Sequence, residues 1–120
     1  MTERHALVVD DHPTNRLLAI ALLKKQGWTV HEAEGGETAI ALANSFSPTL
    51  VLLDISMPGL SGEDTCARLR ECPNGKTMRI LAYTAHAFPE ERARFLAAGF
   101  DDILVKPINR QLLEDLIAGL

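Results

Sequence analysis

Five short apolar runs, each closed by a polar residue or set at an edge, alternate along this chain with five stretches of helical pattern. Ala6-Leu7-Val8-Val9 leads into Asp10-Asp11, and Thr49-Leu50-Val51-Leu52-Leu53 into Asp54. Arg79-Ile80-Leu81-Ala82-Tyr83 leads into Thr84, and Asp102-Ile103-Leu104-Val105 into Lys106. Runs this short and this continuously apolar suit strands buried on both faces, as in a parallel sheet. Thr29-Val30-His31-Glu32-Ala33 is more mixed and suits an edge strand. Helices are predicted over 15–26, 37–43, 62–70, 89–98 and 109–120. Lys24 and Lys25 precede Gly27 at one stop; Pro89, Glu90 and Glu91 open another, which Gly99 closes. Leu112, Leu113, Leu116, Ile117 and Leu120 form an apolar stripe at helical spacing. The pattern predicts an α/β fold, a five-stranded parallel sheet covered by helices on both faces and joined by right-handed crossovers.

The 120 residues are expected to form a single domain over 1–120, with a core at about 5–118. A chain with 47% hydrophobic and 23% charged residues has globular composition, which excludes disorder. A net charge of −4 argues against a surface built for nucleic acid. No run of about 18 apolar residues occurs to span a bilayer. The opening Met1-Thr2-Glu3-Arg4-His5 runs into a strand and is not read as a signal peptide. Cys66 and Cys72 read as two free thiols on one helix in a reducing compartment. A cytoplasmic location is therefore expected.

The chemistry is carried by position. Asp10, Asp11, Asp54, Thr84 and Lys106 all close predicted strands, and ligands of open α/β sheets bind outside those carboxyl ends. Three clustered carboxylates repel one another, and a divalent cation relieves the repulsion. An all-oxygen set suits Mg²⁺, which favours a substrate phosphate as a further ligand. Lys106 supplies a point charge for a phosphate oxygen, and Thr84 a hydroxyl donor. Asp10 and Asp11 form the pair a metal wants. Asp54, alone at the end of the central strand, is the natural nucleophile for an aspartyl phosphate. Taken alone, Asp54 would read equally well as an ordinary cap.

Val8-Val9-Asp10-Asp11, Leu52-Leu53-Asp54-Ile55-Ser56-Met57-Pro58-Gly59, Tyr83-Thr84-Ala85, Ala98-Gly99-Phe100-Asp101-Asp102 and Lys106-Pro107 stand in this order and spacing. In them the chain resembles the receiver domain of two-component response regulators over nearly its whole length. The resemblance implies a flavodoxin-like (αβ)5 sandwich with strand order 2-1-3-4-5. It assigns Asp54 as phosphoacceptor and Asp11 as direct metal ligand. Asp10 would hold Asp11 or bind the metal through water. Ser56 would offer its backbone carbonyl to Mg²⁺, and Thr84 and Lys106 would bind phosphoryl oxygens. It also implies a cis bond between Lys106 and Pro107. A histidine kinase or histidine-phosphotransfer domain would be the phosphodonor, with no direct DNA binding or membrane contact by this domain. A weak homodimer is the self-association it admits.

Asp10-Asp11-His12-Pro13-Thr14-Asn15-Arg16 is most similar to receivers attached to hybrid sensor histidine kinases, as is Ala82-Tyr83-Thr84-Ala85-His86-Ala87. The chain has no room for a DNA-binding output domain, so it is expected to be either a piece of such a sensor or a stand-alone single-domain regulator, and these segments put the former ahead. On this reading it is not a catalyst in its own right, beyond promoting phosphorylation and dephosphorylation of its own aspartate, whereas a parent chain would be a kinase.

The family pattern is broken at Ile103, where many receivers carry an aromatic; Ile103 reads as core, which puts an aromatic switch in doubt. Leu60-Ser61 reads as a turn. His86 stands where a side chain controls water access to the phosphoryl group, or is an exposed loop residue. His12 is a surface residue or touches the incoming donor. His5 and His31 read as structural or solvated, and none of the four histidines has ligand spacing for a transition metal. Leu17-Leu18-Ala19-Ile20-Ala21-Leu22-Leu23 exceeds one helical face: either all of it packs on the sheet or part docks a helical-bundle donor. Phe88, Phe95 and Leu96 are expected in the core. A haloacid-dehalogenase-type phosphatase is the enzyme alternative. It needs a second aspartate where Ser56 stands and an acidic pair late in the chain. A receiver that binds a partner without phosphorylation is the remaining reading.

Overall fold

Leu50, Val51, Leu52 and Leu53 are all fully buried. Four successive buried residues on an extended chain require neighbours on both edges and a layer on both faces. That places their strand at the centre. The computed structural model describes residues 4–57, 59–85, 88–106 and 108–118. In chain order the elements are β1 (His5–Val9), α1 (Pro13–Lys25), β2 (Thr29–Ala33), α2 (Gly36–Phe46), β3 (Leu50–Asp54), α3 (Gly62–Glu71), β4 (Arg79–Thr84), α4 (Pro89–Ala98), β5 (Asp102–Val105) and α5 (Arg110–Ile117). The sheet runs β2-β1-β3-β4-β5 and every pairing is parallel.

Side-chain alternation divides the core in two. Leu50 and Leu52 pack with Ala19 and Leu23 of α1, Trp28, and Leu113 and Ile117 of α5. Val51 and Leu53 pack with Ala39 and Ala43 of α2, Cys66 and Leu69 of α3, and Phe95 of α4. Each large apolar side chain buried this way contributes roughly 1.5–3 kcal/mol. Ile103 is buried in the second cluster, as its reading as core requires. Phe88 and Leu96 depart from expectation: both are exposed, and only Phe95 of that trio turns inward. Ten helical residues present one stripe to the sheet, and Phe95 with Ala98 fills it. The α1 run divides likewise, Ala19 and Leu23 inward and Leu17 (68% exposed) and Leu18 outward.

Boundaries shift where local chemistry says they should. Helix α1 starts at Pro13, whose fixed φ and missing N–H suit a first turn. Helix α2 runs on to Phe46 and stops as Ser47 turns left-handed at φ +50°. Asn109 precedes α5 rather than opening it, its side chain accepting from Leu112 N at 3.0 Å. The expected end of that helix at Leu120 lies outside the described residues. Gly99 closes α4 at φ +113°, where a side chain would be strained. Cys66 lies in α3 and Cys72 caps it, both as free thiols. Among the described residues, no helix is long and apolar enough to cross a membrane.

Arg70 ties one end of the sandwich. Its guanidinium donates to the Gly99 carbonyl at 3.1 and 2.7 Å, to the Gly75 carbonyl at 2.8 Å and to the Met78 carbonyl. It also pairs with Asp101 at 2.8 Å. The end of α3, the turn before β4 and the link from α4 to β5 are thereby fastened through one side chain. At the opposite end Gly62 presses α3 against the sheet. A Cβ there would lie 2.9 Å from Ile55 Cα and 3.1 Å from the Asp54 carbonyl.

Candidate functional site

Parallel strands bring all their carboxyl ends to one rim. Asp54 is the last residue of β3, Thr84 the last of β4, Asp10 and Asp11 follow β1, and Lys106 follows β5. Asp54 and Thr84 therefore belong to their strands rather than to the loops beyond. The register sets Asp54 opposite Tyr83, so Thr84 stands one residue further up the rim. Asp10 and Asp54 are almost completely buried, and Thr84 nearly so.

One oxygen from each of Asp10, Asp11 and Asp54 falls within a mutual 4.8 Å. The Lys106 ammonium enters the group, with Nζ 3.2 Å from Asp10 Oδ2 and 3.3 Å from Asp54 Oδ1. It also lies over the Tyr83 ring, 4.8 Å from the centroid. Lys106 is held at its backbone too, where its N–H donates to the Thr84 carbonyl at 2.7 Å. Asp54 Oδ1 accepts from Ser56 N at 3.1 Å, and Asp10 Oδ1 from His12 N at 2.9 Å. Asp10 Oδ2 and Asp11 Oδ1 are buried and receive no hydrogen bond; the Lys106 ammonium stands against the first and the His12 ring near the second.

The electrostatics follow from this crowding. Burial pushes the Asp54 carboxyl above its ordinary range; the Ser56 N–H and the Lys106 ammonium work against that, and Asp10 adds to it. The Tyr83 phenol is pushed up to about 12, by burial first and then by Asp10 and Asp54. One ammonium against three carboxylates leaves two negative charges uncompensated. Two buried carboxylate oxygens also lack hydrogen-bond donors. An all-oxygen set with orphaned acceptors and a surplus of two negative charges fits a divalent cation of hard character.

Asp10, Asp11, Asp54 and Lys106 thus converge, with Ser56 N on Asp54, while Thr84 joins the group through its carbonyl on Lys106 N. His12 is largely exposed at the mouth, its Nε2 3.8 Å from Asp11 Oδ1. His86 and the bond between Lys106 and Pro107 lie outside the described residues, as does Pro58. Sequence reasoning gave no role to two contributors. Arg16, in the first turns of α1, donates from Nη1 to the Asp10 carbonyl at 2.7 Å and from Nε to Glu32 Oε1 at 2.8 Å. Asp10 N donates to Ala33 O at 3.1 Å, so the acidic corner is braced from α1 and β2 together. Tyr83 forms the floor beneath Lys106. A cation three residues into a helix that follows the acidic pair was the available signal for Arg16.

Residues 6–118 match the model of the response regulator receiver domain. An uncharacterised 14.6 kDa protein of Leptolyngbya boryana is 36% identical over 109 residues, covering 91% of this chain and 83% of that protein. The sensor protein GacS of Pseudomonas syringae is 37% identical over 114 residues, covering 92% of this chain but only 13% of GacS. Among solved structures, the receiver domain of the sensor histidine kinase PA1611 of Pseudomonas aeruginosa superposes with a TM-score of 0.86 at 30% identity. That match covers 96% of this chain and 94% of the other, whose active-site cleft coordinates a magnesium ion. The chain belongs to the response regulator receiver family of two-component phosphorelays. More particularly, it is homologous to the receivers carried within hybrid sensor histidine kinases and has the CheY-like strand order.

Proposed function

We propose that Asp54 accepts a phosphoryl group from a phosphohistidine partner, a histidine kinase or a histidine-phosphotransfer domain. A carboxylate oxygen of Asp54 attacks phosphorus, the phosphorus–nitrogen bond of the donor breaks, and its electron pair returns to the imidazole. The observation that carries this reading is the setting of Asp54. It is buried at the end of the central strand, 3.3 Å from the Lys106 ammonium, among carboxylate oxygens that lack donors. The Asp10, Asp11 and Asp54 carboxylates and the Ser56 backbone carbonyl would hold Mg²⁺. Bound there, the cation would offset the negative charge that builds up as phosphate approaches carboxylate. Lys106 binds one phosphoryl oxygen and Thr84 donates its hydroxyl to another. Tyr83 and the Thr84 carbonyl hold Lys106 in place for this task.

The new charge at Asp54 biases the β4–α4–β5–α5 half between two arrangements. With Ile103 in the core, Thr84 and the segment after it carry the change in place of a rotating aromatic. The chain acts as one receiver domain over 1–120. It is no stand-alone enzyme beyond promoting the gain and loss of its own phosphoryl group. It works in the cytoplasm, as part of a hybrid sensor histidine kinase. The similarity to GacS supports that context; the 14.6 kDa relative, which this chain nearly spans, supports the second reading of a free-standing regulator. The experiment is labelling by acetyl phosphate with Mg²⁺. Wild type is expected to label and Asp54→Asn is not; equal labelling of the two would overturn the proposal.

A further inference from the structure

The register of β1 with β2 sets Leu7 opposite His31, which puts His5 diagonally across from His31 on the same face of the sheet. There His5 Nδ1 and His31 Nε2 stand 3.1 Å apart, though 26 residues separate them in the chain. The His31 ring lies on Phe46 of α2, with centroids 3.8 Å apart and planes 24° from parallel. The His5 ring centroid is 5.7 Å from the same phenyl group. Both imidazoles are half-buried, so each is oriented by its neighbours and open to solvent. The pair sits at the start of β1 and the acidic group follows its end. At about 3.3 Å of rise per residue, roughly 16 Å of strand divides them.

We propose that His5 and His31 chelate one divalent transition ion of the Zn²⁺ type, with solvent completing its coordination. Two nitrogens held tetrahedrally at about 2.0–2.1 Å from such an ion are about 3.3 Å apart, within a few tenths of an ångström of the spacing here. In the neutral pair one ring N–H lies between the two nitrogens. On binding, that proton moves to the far nitrogen of its own ring. Each imidazole then presents a lone pair and keeps one proton, so the neutral pair releases none. Burial, and then the neighbouring His5, hold the His31 imidazole below its ordinary titration range. Phe46 fixes the ring plane in the way a carboxylate partner often does for a ligand histidine. Imidazole nitrogen prefers borderline ions, whereas the all-oxygen rim prefers Mg²⁺, so the two ends of β1 select different metals.

The test is a Zn²⁺ titration of the full chain under excess Mg²⁺, read by calorimetry and by the histidine ring proton signals in NMR. One equivalent is expected to bind wild type and Asp11→Asn alike, moving the His5 and His31 signals. His5→Gln and His31→Gln, checked for folding by circular dichroism, are each expected to weaken binding at least tenfold. Zinc binding that survives both Gln variants, or that is lost in Asp11→Asn while the His12 signal moves, would overturn the proposal. So would the absence of a His-dependent equivalent in wild type.

Discussion

The Lys106 ammonium nitrogen lies 3.3 Å from Asp54 Oδ1, although β4 stands between the strands these residues close. The lysine crosses over the Tyr83 ring to reach it. Lys106→Met keeps much of the stem and removes the charge, leaving buried carboxylates facing one another. Unpairing a buried charge is costly, and the lysine is only partly exposed, so a loss of about 1–3 kcal/mol is expected in urea unfolding at pH 7. Added Mg²⁺ should recover part of that loss if the rim takes the cation as proposed.

Asp54→Asn should act in the opposite sense on stability. The Asp54 carboxyl is held above its ordinary value of 3.8, so between those two points the folded state binds more protons than the unfolded one. Wild-type stability therefore falls as pH climbs through this window. Asparagine does not titrate and escapes that fall. Metal-free Asp54→Asn should be more stable than wild type at pH 7. The advantage should shrink towards pH 4, measured by thermal melts across the range.

Arg16→Met tests the brace behind the acidic pair. The guanidinium satisfies the Asp10 carbonyl and reaches Glu32, with only 14% of its side chain exposed. Charged hydrogen bonds of this kind are worth about 1–2 kcal/mol, and that loss is expected in equilibrium unfolding. Because the Asp10 corner loosens, Mg²⁺ affinity should fall with it. Unchanged Mg²⁺ affinity would show that the brace serves stability alone.

Leu17→Arg addresses the outward side of α1. Leu17 makes little contact with the core, so stability should change by less than about 0.5 kcal/mol. Labelling by acetyl phosphate should be unaffected, while transfer from a helical-bundle phosphodonor should slow about tenfold or more. Equal slowing with both donors would place the defect inside the site instead.

The strands were readable because burial on both faces leaves continuous apolar runs such as Leu50-Val51-Leu52-Leu53. The rim was readable because parallel strands deliver Asp10, Asp54 and Lys106 to one side whatever their order. Contacts set by packing across elements were not. Nothing local marks Tyr83 as the floor beneath Lys106, or Arg70 as a tie between three segments. Phe88 and Leu96 carry the same apolar signal as Phe95, and only the position of the helix on the sheet separates them. His5 and His31 meet through strand register, which their separation along the chain conceals.

Arg70 gives the molecule a welded end. Its bonds to the Gly75, Met78 and Gly99 carbonyls and to Asp101 clamp the tail of α3 to the roots of β4 and β5, far from the acids at the other pole. A sandwich clamped at one pole flexes like a book gripped by its spine. Displacement prompted at Thr84 would then spread across the fore-edge and leave the sheet's stacking intact.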